Sequence, residues 1–259
     1  MIHPYTHIKD GAKLAQNVKV DPYTTIYENV EIGGGTWIGS NVTIMPGVKI
    51  GENCRIFPGV VIAALPNEGE ELISDRNCVV IGDNTIIREY VTIDRPTKAD
   101  VTTNIGSNCM INAYSCVGGG STIGNSCVII NCTQIKEFAR IDDWGWVAGM
   151  CYVEEDVHIG KHAFIAGGST VAKDVPPFVK AAHTPLSYAG INSTGLKRRG
   201  YPLTSINHIL DIYRSIFNMG LSQEEALIKI EEELMISEEK DEILTFIRTS
   251  RKGIIGRNN

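Results

Sequence analysis

The chain has 259 residues, 43% of them hydrophobic, with a formal net charge of −6 and a pI near 5.6. That acidic balance argues against a dedicated nucleic-acid binder, and no run of 18 apolar residues is present to cross a membrane as a helix. The opening MIHPYTHIKDG has no basic-then-apolar leader, so the expected location is the cytoplasm.

In chain order, an aliphatic residue recurs every sixth place from Ile8 through Leu14, Val20, Ile26, Ile32, Ile38, Ile44, Ile50, Ile56 and Ile62. The stretch LPNEGEELISDR then breaks the phase by one residue, which predicts an extruded loop over about 65–77. The repeat resumes at Ile81, Ile87 and Ile93, and RPTKADVTT predicts a second excursion over 95–103. From Ile105 to Val175 twelve hexads follow without interruption, from IGSNCM to VAKDVP, each opening with Ile or Val and each with a small or β-branched fifth residue. A period of six matches neither a 3.6-residue helix nor a plain strand alternation. It matches a three-sided coil of about 18 residues, with the aliphatic residue pointing into a narrow prism. The expectation is a mainly β chain, a left-handed parallel β-helix over 1–178, roughly 45 Å long at about 4.8 Å per coil.

DVPPF ends the repeat, because two prolines cannot continue a ladder. A connector over 179–200 leads to a helical domain over 201–259. There Ile206, Ile209, Leu210, Tyr213, Ile216 and Phe217 form one stripe ended near Gly220. Ser222 and Glu225 form a capping box before Ala226, Leu227, Ile230 and Leu234, and Ser237 caps a last helix carrying Ile243, Leu244 and Ile247. The basic tail SRKGIIGRNN is expected to fray. Of seven cysteines, Cys54, Cys109, Cys127 and Cys151 take the inward fifth place and read as reduced core filler, which leaves Cys116 as the one near any chemistry.

The hexads, the two loops, DVPPF, the GLKRRG of Gly195–Gly200 and the helical tail together resemble the UDP-N-acetylglucosamine acyltransferases. The resemblance implies a cytoplasmic homotrimer that needs no cofactor or metal. Such an enzyme moves a 3-hydroxyacyl chain from acyl carrier protein to a sugar hydroxyl, in clefts between subunits, as the first step of lipid A synthesis. It also implies an anion site at Asn192, Arg198 and Arg199, where paired guanidinium groups suit phosphate. The general base of that family lies in a motif N-A-H-x-x-H-D-C. Laid on the unbroken hexad phase, the base falls on Gly119, the first histidine of the motif on Cys116 and the aspartate on Gly120; two further family histidines fall on Phe138 and Glu154. The family's substrate loop, with Gln-Asp-Leu-Lys, has no counterpart in LPNEGEELISDR.

Acyl transfer to a hydroxyl needs a proton acceptor, and glycine has none. An 18-residue coil stacks Glu155 over Glu137 and Glu137 over Gly119, with Glu154 and Asp156 alongside. These carboxylates read either as a substitute acid/base pair (Glu137 and Glu155) or a cation site, or as a solvated acidic strip with Lys136 paired to Glu154. The strip would repel an anionic nucleotide and carrier. His158 and His162 hint at zinc, but no third histidine lies near them, and His162 reads as a structural residue on an outward corner. Two functions stay open: an acyltransferase of impaired or altered chemistry, and a non-catalytic paralogue that binds a nucleotide sugar, acyl carrier protein or another protein.

Overall fold

The computed structural model describes residues 1–65 and 78–257, so the loop expected at 65–77 lies, from 66 onward, outside the described residues. Strands β1 (His7–Ile8) to β25 (Thr170–Val171) are nearly all two residues long and wind into three parallel sheets, to which they give nine, eight and eight strands. The chain is a left-handed parallel β-helix. Its register is 18 residues where the repeat is uninterrupted, as in Met110↔Val128 and Val128↔Trp146, and is longer at the two interruptions, as in Val61↔Thr92 and Thr92↔Cys116.

Each hexad position has a physical task. The opening Ile or Val fills the prism, where Ile26, Ile38, Ile44, Ile56, Ile62 and their successors are fully buried. The second place is often glycine because the next coil is too close: a Cβ on Gly106 would meet the Gly124 backbone at 2.7 Å. The fourth place turns the corner in left-handed backbone, with φ near 57° at Asn29 and Asn41; asparagine and glycine tolerate that region best. The fifth place is more than a small apolar slot. Thr85 Oγ1 donates to Gly106 O at 2.8 Å, Thr133 Oγ1 to Ala148 O at 3.0 Å, and the buried thiols of Cys109 and Cys151 make the same bond to Gly124 O and Ala166 O at 3.0 and 3.1 Å. A small side chain that can donate satisfies a corner carbonyl the ladder leaves over.

The 179–200 connector is more ordered than its sequence suggests. Strand β26 (Val179–Ala182) pairs with β24 (Phe164–Ile165) and so carries one sheet past DVPPF, then turns back antiparallel as β27 (Ser187–Ile191). A short helix, α1 (Ser193–Arg198), holds most of GLKRRG. Helices α2 (Leu203–Phe217), α3 (Gln223–Glu233) and α4 (Glu238–Thr249) follow. The capping box at Ser222 and the Ser237 cap are both present. The helices pack on their own coil: Tyr188 stacks on Phe217 at 4.3 Å, and Phe246 lies 4.4 Å from His158. The basic tail is pinned rather than frayed. Buried Asp174 accepts from Ser250 Oγ at 2.7 Å and from His158 N at 2.8 Å, its main chain bridges to Ile254, and Ile255 is buried.

Candidate active site

Two corners of the prism carry the polar groups that the sequence singles out. The first surrounds VGGGST. Strand β13 (Thr92–Asp94) leads into the segment that ends at β14 (Thr103–Ile105), and this segment folds over the corner. Arg95 is buried; its Nε donates to Ala63 O at 3.1 Å and its Nη2 to Pro46 O at 2.9 Å. Thr103 Oγ1 donates to Asp94 O at 2.8 Å and accepts from Gly120 N at 2.9 Å, so one hydroxyl ties the segment to the VGGGST turn.

This closure explains the three glycines. Gly118 faces the next coil in the usual way, and Gly120 has φ 74° with the Phe138 ring against it. Gly119 is different. A Cβ there would lie 2.2 Å from the Arg95 carbonyl oxygen and 2.8 Å from Pro96 Cα, so the extruded segment, not the neighbouring coil, occupies the place of its side chain.

Above Gly119 the ladder continues, with Phe138 N donating to Gly119 O at 3.1 Å and Asp156 N to Glu137 O at 3.2 Å. Glu137 is half-buried and Glu155 exposed. The cation that reaches this strip is Lys252 rather than Lys136: its ammonium donates to Glu155 O at 2.7 Å and stands 3.7 Å from the Glu154 carboxylate, because the pinned tail runs across it. A carboxylate that the sequence reading passed over lies just below. Asp94 stacks over Ala64, one coil beneath Gly118, and its Oδ2 accepts a weak bond from Cys116 Sγ at 3.8 Å. Burial raises its carboxyl to about 6; the thiol bond lowers it, Glu137 pushes it further up and Lys136 draws it back. Burial likewise pushes the Cys116 thiol up.

The second corner is built at the far end of the coil. Trp144, His162 and Phe178 occupy successive left-handed corner positions, with φ 62°, 58° and 64°, and their rings stack at 6.1 and 5.6 Å. His162 is on a corner but not exposed: it is 3% accessible, because Tyr201 covers it and bonds its Nε2 at 3.1 Å. Burial, reinforced by Arg199 and Lys161, drives its pKa down to about 3, so the ring is neutral. Asn192 caps α1, accepting from Gly195 N at 3.1 Å while its Nδ2 donates to His162 O at 2.9 Å. Arg199 lays its guanidinium 5.5 Å from the Trp144 ring centre, and its buried Nε and Nη2 find no acceptor among the described residues. Arg198, its neighbour, is exposed. A half-buried cation with two unanswered N–H groups beside an aromatic face has unused capacity to donate to an anion.

Comparison with known proteins decides the family. Residues 174–255 match a profile described as UDP N-acetylglucosamine O-acyltransferase, domain 2, and residues 29–64 match bacterial transferase hexapeptide repeats. An acyl-[acyl-carrier-protein]–UDP-N-acetylglucosamine O-acyltransferase of Pseudomonas fluorescens is 36% identical over 180 residues, covering 68% of this chain and 69% of that protein. The chain belongs to the UDP-N-acetylglucosamine O-acyltransferase family. Solved members superpose closely. The enzyme of Bacteroides fragilis has 37% identity and a TM-score of 0.94 over 98% of this chain and 100% of its own. The Francisella novicida enzyme has 34% identity and a TM-score of 0.95 over 100% of this chain and 95% of its own.

Within this acyltransferase scaffold, the structure brings Asn192 and Arg199 together around α1 and leaves Arg198 outside. Asp94 was missed because its partners lie in other coils: Cys116 is 22 residues away and Glu137 further still. The one available signal was that a charged residue, not a turn residue, follows Ile93 just before the excursion.

Proposed function

We propose that this chain transfers a 3-hydroxyacyl group from acyl carrier protein to a hydroxyl of UDP-N-acetylglucosamine, with a proton acceptor other than residue 119. The observation that carries this reading is Arg199, a guanidinium held against Trp144 with two buried N–H groups open, within an intact GLKRRG. Asn192, by capping α1, sets that geometry, and Arg198 offers a second, solvent-facing charge. The active assembly in this reading is a homotrimer. Its support is the set of large apolar side chains left exposed on the coil, Met110 and Trp146 on one sheet, Tyr152 on the next and Met150 between them. A cytoplasmic setting accords with seven cysteines present as free thiols.

The sealed place at Gly119 favours a second reading, a non-catalytic relative that holds a nucleotide sugar, acyl carrier protein or another protein. One assay separates the two. Purified protein at high concentration is given 3-hydroxyacyl carrier protein and UDP-N-acetylglucosamine, and product is followed by mass spectrometry. Product well above the enzyme-free control is expected; its absence, with the nucleotide sugar still bound in calorimetry, establishes the binding role instead.

A further inference from the structure

Acyl transfer at this scaffold leaves the acceptor hydroxyl's proton without a destination at Gly119, so the corner must supply one from elsewhere. Among the described residues, its acids include Asp94, Glu137, Glu154, Glu155 and Asp156. Glu155 and Asp156 are exposed, Glu154 faces the Lys252 ammonium at 3.7 Å, and Glu137 is half-buried, as Asp94 is. Asp94 differs in how it is held. Its carbonyl is fixed by Thr103, and the next residue is anchored by Arg95 N to Ala64 O at 3.0 Å together with the buried Arg95 guanidinium. A rigid main chain on both sides leaves the carboxylate little freedom. Among the described residues its side chain has one hydrogen bond, from a thiol, a weak donor, so both oxygens keep acceptor capacity.

The same segment makes both features. By closing over the VGGGST turn it excludes a side chain from position 119, and at its root it presents Asp94 beside Cys116. We propose that Asp94 is the general base of the acyl transfer and that Cys116 positions it, an inference that rests on the acyl-transfer reading above. The acceptor hydroxyl gives its proton to Asp94 as its oxygen attacks the thioester carbonyl. A C–O bond forms, the C–S bond breaks, and the proton passes to the departing thiolate, which regenerates the carboxylate. A carboxyl raised to about 6 by burial is ionised at neutral pH, yet more basic than a solvated aspartate. The charged and titratable groups that face it are Cys116, Lys136 and Glu137.

The test is Asp94→Asn in the transfer assay, beside Glu137→Gln and Glu155→Gln. We expect kcat to fall by roughly 100-fold or more, as loss of a general base does, while UDP-N-acetylglucosamine affinity in calorimetry stays within twofold. Wild-type kcat/KM should rise through a limb near pH 6 that the Asn variant lacks. Cys116→Ala should move that limb upward, because the thiol bond holds the carboxyl down. At pH 8 the Asn variant should also melt above wild type, since it no longer buries a charge, whereas loss of a merely structural aspartate would lower the melting temperature. Turnover within fivefold of wild type with an unchanged pH limb overturns Asp94 while leaving the acyl-transfer reading intact. A wild type that binds the nucleotide sugar but makes no product overturns that reading, and Asp94's role with it.

Discussion

The Arg199 corner and the Gly119 corner use the same hexad geometry, yet only one carries its chemistry in contiguous sequence. At the Arg199 corner, GLKRRG closes α1, and Arg199, the residue that caps it, brings its cation to a column of rings spaced one coil apart, Trp144, His162 and Phe178. At the Gly119 corner the local residues contribute glycine and the Cys116 thiol, and the carboxylate stands one coil below, at the end of β13, where a segment leaves the coil at Arg95 to return at Thr103. In a solenoid each coil contacts only its neighbours, so residues further apart in sequence meet where an insertion or a terminal segment bends back. A site made in this way depends on the insertion as well as the repeat.

The largest effect expected from this contrast comes from restoring an imidazole at the repeat position. Gly119→His must displace the Arg95 carbonyl, 2.2 Å from the new Cβ, together with an Arg95 side chain buried against two lower coils. Overpacking against fixed backbone should cost about 3 kcal/mol, read as a lower urea midpoint, and should not raise turnover. A variant that is as stable as wild type and faster would show that the segment swings clear and that the corner accepts a histidine.

At the other corner the expected effect is on binding. Arg199→Ala removes a half-buried guanidinium with two open N–H groups, and hydrogen bonds to charged groups contribute about 1.5–3 kcal/mol. UDP-sugar affinity should therefore fall roughly 10- to 100-fold in calorimetry. Arg198→Ala, which removes an exposed side chain, should cost only a few-fold. Equal losses would mean that both arginines act as a diffuse positive patch.

Legibility follows the same division. The coil, its phase and both end caps of the helical domain could be read because each depends on residues within one or two turns of each other: Ile at every sixth place, Ser222 with Glu225, Ser237 with Lys240. The pinned tail and the cover on His162 could not be read. They depend on Asp174 meeting Ser250, 76 residues away, and on Tyr201 reaching back 39 residues. The carboxylate strip was read correctly as a stacked column, but Lys252, which approaches from the tail 97 residues after Glu155, was not visible in it.

The two corners should also part in acid. His162 is held neutral with a pKa near 3, below its unfolded value near 6.5, so between those values the unfolded chain binds a proton that the folded chain does not. Stability is therefore complete above 6.5 and declines as pH falls toward 3, by on the order of 2 kcal/mol at pH 5. Asp94 has the opposite sign. Its folded pKa of about 6 exceeds the 3.8 of an unburied group, so its contribution is present below 3.8 and lost as pH rises through 6. Denaturation of His162→Phe between pH 7 and 4 should show a flatter acid decline, with the ring column kept by phenylalanine. A decline as steep as in wild type would place the acid sensitivity in other groups.

The smallest expected effect tests what Asn192 does. Its side chain makes two bonds of different sense, accepting from Gly195 N and donating to His162 O. Asn192→Ala loses both, and removing such a cap costs about 1 kcal/mol. Asn192→Asp keeps the acceptor for the cap but turns an oxygen toward the His162 carbonyl, so it should be destabilised by a similar amount through repulsion rather than an open helix end. In both variants the loss of UDP-sugar affinity should track the loss of stability, because Asn192 acts by holding α1, and with it Arg199, against Trp144. If either variant melts like wild type while its affinity falls tenfold, Asn192 reaches the ligand itself, and the anion site extends from Arg199 across the start of α1.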